Sequence, residues 1–391
     1  MTAERGTIVF VTGADEWYGS DYVLYELVRS LEGTEFDALV LVPDDMSSDI
    51  GAEQRLSGRL RSVGVAVHSI PLTVLRRRYM HPVGMVSLFV RSPRITRRAL
   101  SVIPRDRVVL VHSHTATVLT GAAIAAALKV PHVWHVSEIV ERPAIVRRSL
   151  ARRIVRSANV VIAVSQAVRR HLLETQPGAA DRVEVIHNGL DSSRFFQSSA
   201  AHSARLSKLT VGMIGRVGTW KGQELFLSAA RIVAREVPGT EFVMAGGVLD
   251  GNTASLDRLR DLAREYGIEE NVKILDYCAD TAALLATFAV FVQPSLRPDP
   301  LPTTVLEAMA SSCPVVATNH GGAPEMVVDG VTGILTPPGN ARAMAEAVVR
   351  LLRQPELGTE MGRRGRARIE RDFTPEAFKE GYLRAYRSLA R

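Results

Sequence analysis

Short aliphatic runs alternate with helical stretches along almost the whole chain, and the alternation occurs in two separate series. Ile8–Val11, Ala38–Val42, Val63–Val67, Val108–Val111, His132–Val136, Val160–Val164 and Val183–Ile186 make up the first. Thr210–Ile214, Glu241–Ala245, Val272–Leu275, Val290–Gln293 and Val315–Thr318 make up the second. These runs are near-continuous in Val, Leu and Ile, which predicts strands buried on both faces. Helical patterns such as Asp21–Leu31, Thr117–Leu128 and Ala144–Arg156 lie between them. The combination predicts an α/β fold, with each series forming a doubly wound parallel sheet.

A polar break separates the two series. Asp191-Ser192-Ser193 and the stretch from Gln197 to Ser207 lack apolar periodicity apart from Phe195 and Phe196, and read as a linker. The expected organisation is a Rossmann-like domain over 1–190, a linker over 191–207, a second Rossmann-like domain over 208–372 and a closing helix within 373–391. A chain of 391 residues, 46% apolar and 23% charged, has the length and material for two such cores. Ligands of open parallel sheets bind beyond the carboxyl ends of the strands, so the chemistry is expected in a cleft faced by both domains.

No apolar run approaches bilayer length, and Met1 to Thr12 passes directly into a strand pattern rather than a signal peptide. Cys278 and Cys313 give no disulfide framework, and no Cys/His spacing resembles a metal site. A cytoplasmic protein is expected. The net charge of +7 is unevenly spread: residues 75–170 hold 18 Lys or Arg against Asp106, Glu138 and Glu141. Arg76-Arg77-Arg78, Arg91, Arg94, Arg97 and Arg98 interleave with Tyr79, Met80, Met85, Val86, Leu88 and Phe89. That mixture suits an anionic membrane surface, peripherally at the inner face, or an anionic acceptor. Solvated helix faces are the plain alternative. Nucleic acid is not expected, since no helix-turn-helix, zinc or RNA-binding signature is present.

The richest motif is Asp299-Pro300-Leu301-Pro302-Thr303-Thr304-Val305-Leu306-Glu307-Ala308-Met309-Ala310, between two strand-like runs. It sets two acids at the start of an apolar helix. A helix start on a parallel sheet offers N–H groups and a positive dipole end to phosphate, while carboxylates accept from sugar or ribose hydroxyls. That combination fits a nucleotide sugar; a capped surface helix is the plain alternative. Gly215-Arg216-Val217-Gly218-Thr219-Trp220-Lys221-Gly222 follows the first strand of the second series, where glycines permit close approach and Arg216 and Lys221 could neutralise a diphosphate. In the first series, Gly13 to Ser20 precedes a helix, and Gly19 and Ser20 suit a phosphate or a simple turn. His112-Ser113-His114 follows the Val108–Val111 strand, with His114 further into the loop, and His135 ends the strand His132–Val136; these are expected to point outward, toward an acceptor hydroxyl or a proton-transfer role. A hydrogen-bonded structural histidine is the alternative, favoured for His112. Asn319-His320-Gly321-Gly322 reads as another close-approach turn.

Taken in order, Gly215-Arg216, Lys221-Gly222, Pro294-Ser295, the acid pair Asp299 and Glu307, Glu307-Ala308-Met309-Ala310, Pro314-Val315-Val316-Ala317, Gly321-Gly322 and Asp329-Gly330-Val331-Thr332-Gly333 resemble the retaining GT-B glycosyltransferases of family 4. The resemblance covers nearly the whole chain and is strongest from Thr210 to Pro338. Two departures stand out. The family usually places Glu where this chain has Asp299, and Phe-Gly where it has Leu301-Pro302.

The resemblance implies a final helix crossing back to the first domain and a metal-independent reaction without a resident cofactor. Its co-substrate would be a nucleoside-diphosphate sugar, a UDP-sugar in preference to a GDP-sugar. The acceptor would be a glycan, a lipid-linked or a small molecule, in cell-envelope polysaccharide or glycolipid synthesis. It implies that Arg216 and Lys221 hold the diphosphate, that Glu307 accepts from ribose, and that Asp299 meets the transferred sugar. Thr303, Thr304 and Val305 would offer N–H groups to phosphate, Gly19 would lie under it, and Tyr277 and Cys278 would flank the base. His114 is expected to act in catalysis, and His112, His114 and His135 to meet the acceptor. A nucleotide-sugar epimerase of similar two-domain form is the competing class. A phosphorylase lacks a convincing cofactor lysine, a nicotinamide dehydrogenase lacks its fingerprint, and an exported sugar-binding protein lacks an export signal.

Overall fold

The computed structural model describes residues 5–45, 55–76, 79, 82–195, 209–247 and 254–390. Arg77, Arg78, Met80 and residues 196–207 of the expected linker lie outside this set, as do the side chains of Met85 and Phe89. The chain divides into two compact units. One takes in the chain up to Asn188 together with the segment from Phe378 onward, and the other runs Gly189–Ala377.

The first unit holds strands β1 (Gly6–Thr12), β2 (Phe36–Pro43), β3 (Ala66–Ile70), β4 (Val108–His114), β5 (His132–Val136), β6 (Val160–Ala163) and β7 (Val183–Val185). They form one parallel sheet in the order β3-β2-β1-β4-β5-β6-β7. Period-two geometry explains the continuous apolar runs. In β1, Ile8 and Phe10 join the core on one face, while Val9 and Val11 join the core on the other. β3 starts three residues later than the sequence pattern suggests. Gly64, at φ +81°, closes the preceding helix Leu56–Ser62, and the Val65 N–H returns to the Leu60 carbonyl at 3.0 Å.

The final helix, Pro375–Leu389, completes the core over β1. Its Thr374 hydroxyl accepts from the Ala377 N–H at 3.1 Å. Phe378, Tyr382 and Tyr386 recur at intervals of four and are buried against Ile8, Phe10 and Phe36. Each such side chain contributes about 1.5–3 kcal/mol by leaving water.

The second unit holds β8 (Thr210–Ile214), β9 (Glu241–Ala245), β10 (Val272–Leu275), β11 (Val290–Gln293), β12 (Val315–Thr318) and β13 (Gly333–Thr336). Its parallel order is β10-β9-β8-β11-β12-β13. β13 is absent from the sequence reading because its Gly-Ile-Leu-Thr run is short and follows a turn. Gly333 lets it lie close, since a Cβ there would meet the Val315 carbonyl oxygen at 2.6 Å. The start of the expected linker is folded rather than free. Ser192–Phe195 forms a 3-10 turn, Phe195 is buried, and the Phe195 carbonyl accepts from Arg366 at 3.2 Å.

Candidate functional site

In both sheets the chain order reverses beside the first strand of the series, at β1/β4 and at β8/β11. Such switch points open a crevice beyond the carboxyl ends of the strands, where ligands bind in this architecture.

In the second unit, the loop after β8 is fixed by backbone bonds from Gly215 N–H to the Ala245 carbonyl (2.8 Å) and from Val217 N–H to the Gly247 carbonyl (3.0 Å). Buried Gln223 braces it further, donating to the Arg216 carbonyl at 3.0 Å. Gly222, at φ +82°, brings this loop against the one after β11, where a Cβ would collide with the Pro294 carbonyl. The Leu296 N–H then donates to the Trp220 carbonyl at 2.8 Å. This stitching delivers Lys221 to Asp299, with Nζ and Oδ2 2.5 Å apart. Asp299 is 6% exposed, so the pair is held largely out of water. Lys221 also sits 4.2 Å from the Trp220 ring centroid.

Asp299 is held from behind by the glycine pair. The Gly322 N–H donates to the Asp299 carbonyl at 2.8 Å. A Cβ on Gly321 would lie 2.2 Å from that carbonyl oxygen, and one on Gly322 would lie 2.2 Å from the Pro300 carbonyl oxygen. The close approach expected at this turn is therefore made to the backbone of the acid.

The helix Thr303–Ala310 begins after Pro302 with no side-chain cap, leaving its first turn as a polar N-terminus. One expected donor needs correction: the Val305 N–H is bonded to the Pro302 carbonyl at 3.0 Å, and the residue is fully buried. Glu307 lies on the next turn. Burial raises its carboxyl above the usual range, opposed by the Thr281 hydroxyl and the Arg194 charge. Its Oε2 is buried without a hydrogen-bond partner, an acceptor whose demand a ligand hydroxyl could meet. Beyond β10, Tyr277 is exposed, and the Cys278 thiol donates to the Asp280 carbonyl at 3.3 Å. Burial raises that thiol, with the Glu307 charge among the smaller causes.

In the first unit, Gly19 is exposed at the start of the helix Gly19–Arg29, which has no side-chain cap. The histidines depart from expectation. His114 continues β4 together with His112 rather than entering a loop, and His112, His114 and His135 are all fully buried. The Tyr386 hydroxyl bonds His112 Nδ1 at 2.9 Å. His114 Nε2 lies 2.9 Å from the Ser20 carbonyl, which can only accept, so His114 donates there. His114 Nδ1 is then an acceptor, and His135 Nδ1 donates to it at 3.0 Å. Burial pushes all three rings toward the neutral form, His114 to about 4. Their nitrogens lie within 4.8 Å of one another. With both His114 nitrogens engaged, at most two lone pairs remain: one on His135 Nε2, and one on His112 Nε2 if His112 Nδ1 donates to the Tyr386 hydroxyl, fewer than a zinc site asks for. His112 and His135 pack against Tyr382 of the last helix, His114 closes on the Ser20 carbonyl, and all three rings are buried rather than pointing outward as expected.

Sequence reasoning passed over the residues that do mark this edge. Thr115 follows β4 at φ +83°, and Glu138 follows β5 with its Oε2 accepting from the Ala116 N–H at 2.9 Å and the Ser137 N–H at 3.1 Å. The available signal was an acid directly beyond a buried parallel strand. Arg76 is also reassigned from a membrane-facing cation: it donates to the Gly13 carbonyl (3.3 Å) and to Asp45 (2.8 Å).

Two doubly wound parallel sheets in tandem, with the last helix returned to the first, form the GT-B architecture. The chain belongs to glycosyltransferase family 4: residues 17–194 match "Glycosyltransferase Family 4" and residues 195–368 match "Glycosyl transferases group 1". It is 30% identical over 324 residues to alpha-maltose-1-phosphate synthase of Mycobacterium tuberculosis (strain CDC 1551 / Oshkosh), covering 72% of this chain and 79% of that protein. It is 31% identical over 297 residues to D-inositol 3-phosphate glycosyltransferase of Mycolicibacterium paratuberculosis (strain ATCC BAA-968 / K-10), covering 72% and 64%. The GDP-mannose-dependent alpha-(1-6)-phosphatidylinositol monomannoside mannosyltransferase of Mycobacterium tuberculosis (strain CDC 1551 / Oshkosh) is 30% identical over 259 residues, covering 63% and 66%. Among solved structures, Anabaena Alr3699/HepE in complex with UDP and glucose is similar in fold at TM-score 0.81 and 23% identity, over 98% of this chain and 100% of that one.

Proposed function

We propose that this enzyme moves a sugar from a UDP-sugar to an acceptor hydroxyl, with retention at the anomeric carbon and without a metal ion. The grouping on the carboxyl edge of the second sheet carries the reading. It joins the Lys221–Asp299 pair, a helix start without a side-chain cap, and a buried Glu307 oxygen lacking a donor. Cations and N–H groups suit a diphosphate, and carboxylates suit ribose and sugar hydroxyls.

In this reading the bond from the anomeric carbon to the diphosphate oxygen breaks while the acceptor oxygen bonds the same face. The acceptor's proton passes to the departing phosphate. Arg216, Lys221 and the N–H groups of Thr303 and Thr304 stabilise the charge that develops there. Asp299 binds the transferred sugar, Glu307 the ribose, and Tyr277 with Cys278 the base.

The UDP complex of the Anabaena neighbour supports uracil, while one relative is named for GDP-mannose, so the base is the point to test. Saturating UDP at a hundred times its Kd should stabilise the protein by about 2.7 kcal/mol, and GDP should do less. Mass spectrometry against a panel of nucleotide sugars should find transfer or hydrolysis that survives excess EDTA. A response to GDP alone would overturn the base, and complete loss with EDTA restored by a divalent ion would overturn metal independence.

Relatives named for maltose 1-phosphate, inositol 3-phosphate and phosphatidylinositol monomannoside support an anionic sugar or polyol acceptor, of the kind used in envelope glycolipid or polysaccharide synthesis. A membrane-bound acceptor is favoured by one surface. On the helix Pro82–Leu100, Val83, Val86 and Val90 are 75%, 61% and 61% exposed, and exposed Arg94 and Arg97 continue the same stripe. Peripheral attachment at the cytoplasmic face of a membrane follows from that reading. No helix among the described residues is long and apolar enough to cross a membrane.

A further inference from the structure

Thr115 is β-branched yet held at φ +83°, a backbone conformation such residues rarely adopt. Four contacts hold it there. Its N–H donates to the His135 carbonyl at 3.1 Å, and its carbonyl accepts from buried Trp134 Nε1 at 2.9 Å. Its hydroxyl bonds that of Thr117 at 3.2 Å, and the next N–H, of Ala116, donates to Glu138. Strain kept in place by this many contacts is a mark of functional sites. The location agrees. The Thr115 hydroxyl lies 3.5 Å from where a Cβ on Gly13 would stand, so β4, β5 and the loop after β1 meet at the switch point of the first sheet.

Resting on the transferase reading above, we infer that Glu138 is an acceptor-binding residue, its carboxylate accepting a hydrogen bond from the hydroxyl of the sugar or polyol to be glycosylated. The carboxylate is positioned by backbone rather than by a salt bridge. Its contacts are the N–H groups of Ala116 and Ser137 and the hydroxyls of Thr115 and Ser137, with no neighbouring charge among the causes of its shift. Burial raises it to about 7, against those four hydrogen bonds. The group therefore exchanges its proton in the neutral range, and its acceptor form predominates above that pH.

The test is Glu138→Gln, whose amide oxygen can still accept from Ala116 and Ser137. UDP-glucose is the donor, with glucose 1-phosphate and water as acceptor probes. Wild-type turnover should rise as pH increases through about 7. The variant should keep the UDP-induced thermal shift, lose about tenfold to a hundredfold in turnover, and show no inflection there. Wild-type turnover with an unchanged pH profile would overturn the assignment of Glu138 alone. If the variant is destabilised, Glu138→Asp decides: it keeps the charge and must keep a pH-dependent limb, and a flat profile overturns the assignment. A wild-type protein with neither a UDP shift nor product would instead remove the transferase reading beneath it.

Discussion

Lys221 and Asp299 hold each other, and a diphosphate would compete for the same ammonium. The family pattern has glutamate in place of Asp299, one methylene longer. In this chain the shorter acid is met by a lysine stacked on Trp220, so the pair still closes. Lys221→Ala should cost on the order of 10²-fold in turnover, as when one stabiliser of developing charge is lost. It should also cost about 1.5–3 kcal/mol of stability, because Asp299 would lose its charged partner while largely buried. Steady-state kinetics beside chemical denaturation checks both, and near wild-type turnover would remove Lys221 from the phosphate role. The glycine turns after the strands were legible in the sequence, whereas the roles given to Arg216, Lys221 and Asp299 rest on the family resemblance. Glu138 was not legible, because its meaning depends on Ala116, which no local pattern ties to it.

At the level of elements, the strand runs announced themselves because parallel strands bury both faces and so read as unbroken aliphatic sequence. The exceptions have physical causes. β13 is four residues opening on glycine, and β4 continues through His112 and His114 because polar rings can occupy a strand when buried partners meet them, Tyr386 for His112 and the Ser20 carbonyl with His135 for His114. The glycine pair after β12 was visible as a turn, but its target was hidden. Gly322→Ala should displace the Asp299 backbone, raising donor KM and lowering turnover, since the methyl would meet a carbonyl oxygen at 2.2 Å. Gly330→Ala is the control. It has φ +71° but nothing within 4 Å, so it should cost only the left-handed backbone penalty, about 1–2 kcal/mol, with kinetics unchanged. Equal kinetic effects in the two variants would contradict the positioning role of the turn.

The protein as a whole should be sensitive to acid. His112, His114, His132 and His135 are all held below the ordinary 6.5 by burial, His114 and His132 to about 4. The unfolded chain binds these protons as pH falls below 6.5, while the native state refuses them until well below it, His114 and His132 until about 4. The stability they contribute is therefore complete above 6.5 and is lost on acidification toward 4. Glu138 and Glu307 oppose this, because their raised values let the native state bind protons first. His171 is lowered by burial as well, so five histidines outnumber two carboxyls and Tm should fall between pH 6.5 and 4; a flat or rising Tm would contradict a neutral histidine core.

Membrane attachment belongs to this scale too, since it depends on a face rather than a residue. Reversing Arg94, Arg97 and Arg98 to Glu should weaken sedimentation with anionic vesicles, each cation near such a surface being worth about 1 kcal/mol. Added salt should act in the same direction. Wild-type protein left in the supernatant at low salt would set the membrane reading aside.

The bond between Tyr386 and His112 joins residues 274 positions apart. During synthesis at about 5–20 residues per second, His112 emerges on the order of 15–55 s before the tyrosine that covers it. Throughout that interval Phe10, Phe36 and the histidine chain form an open aromatic face with nothing to seal it. The N-terminal unit therefore lacks the tyrosines that cover Phe10 and His112 until the last helix is translated.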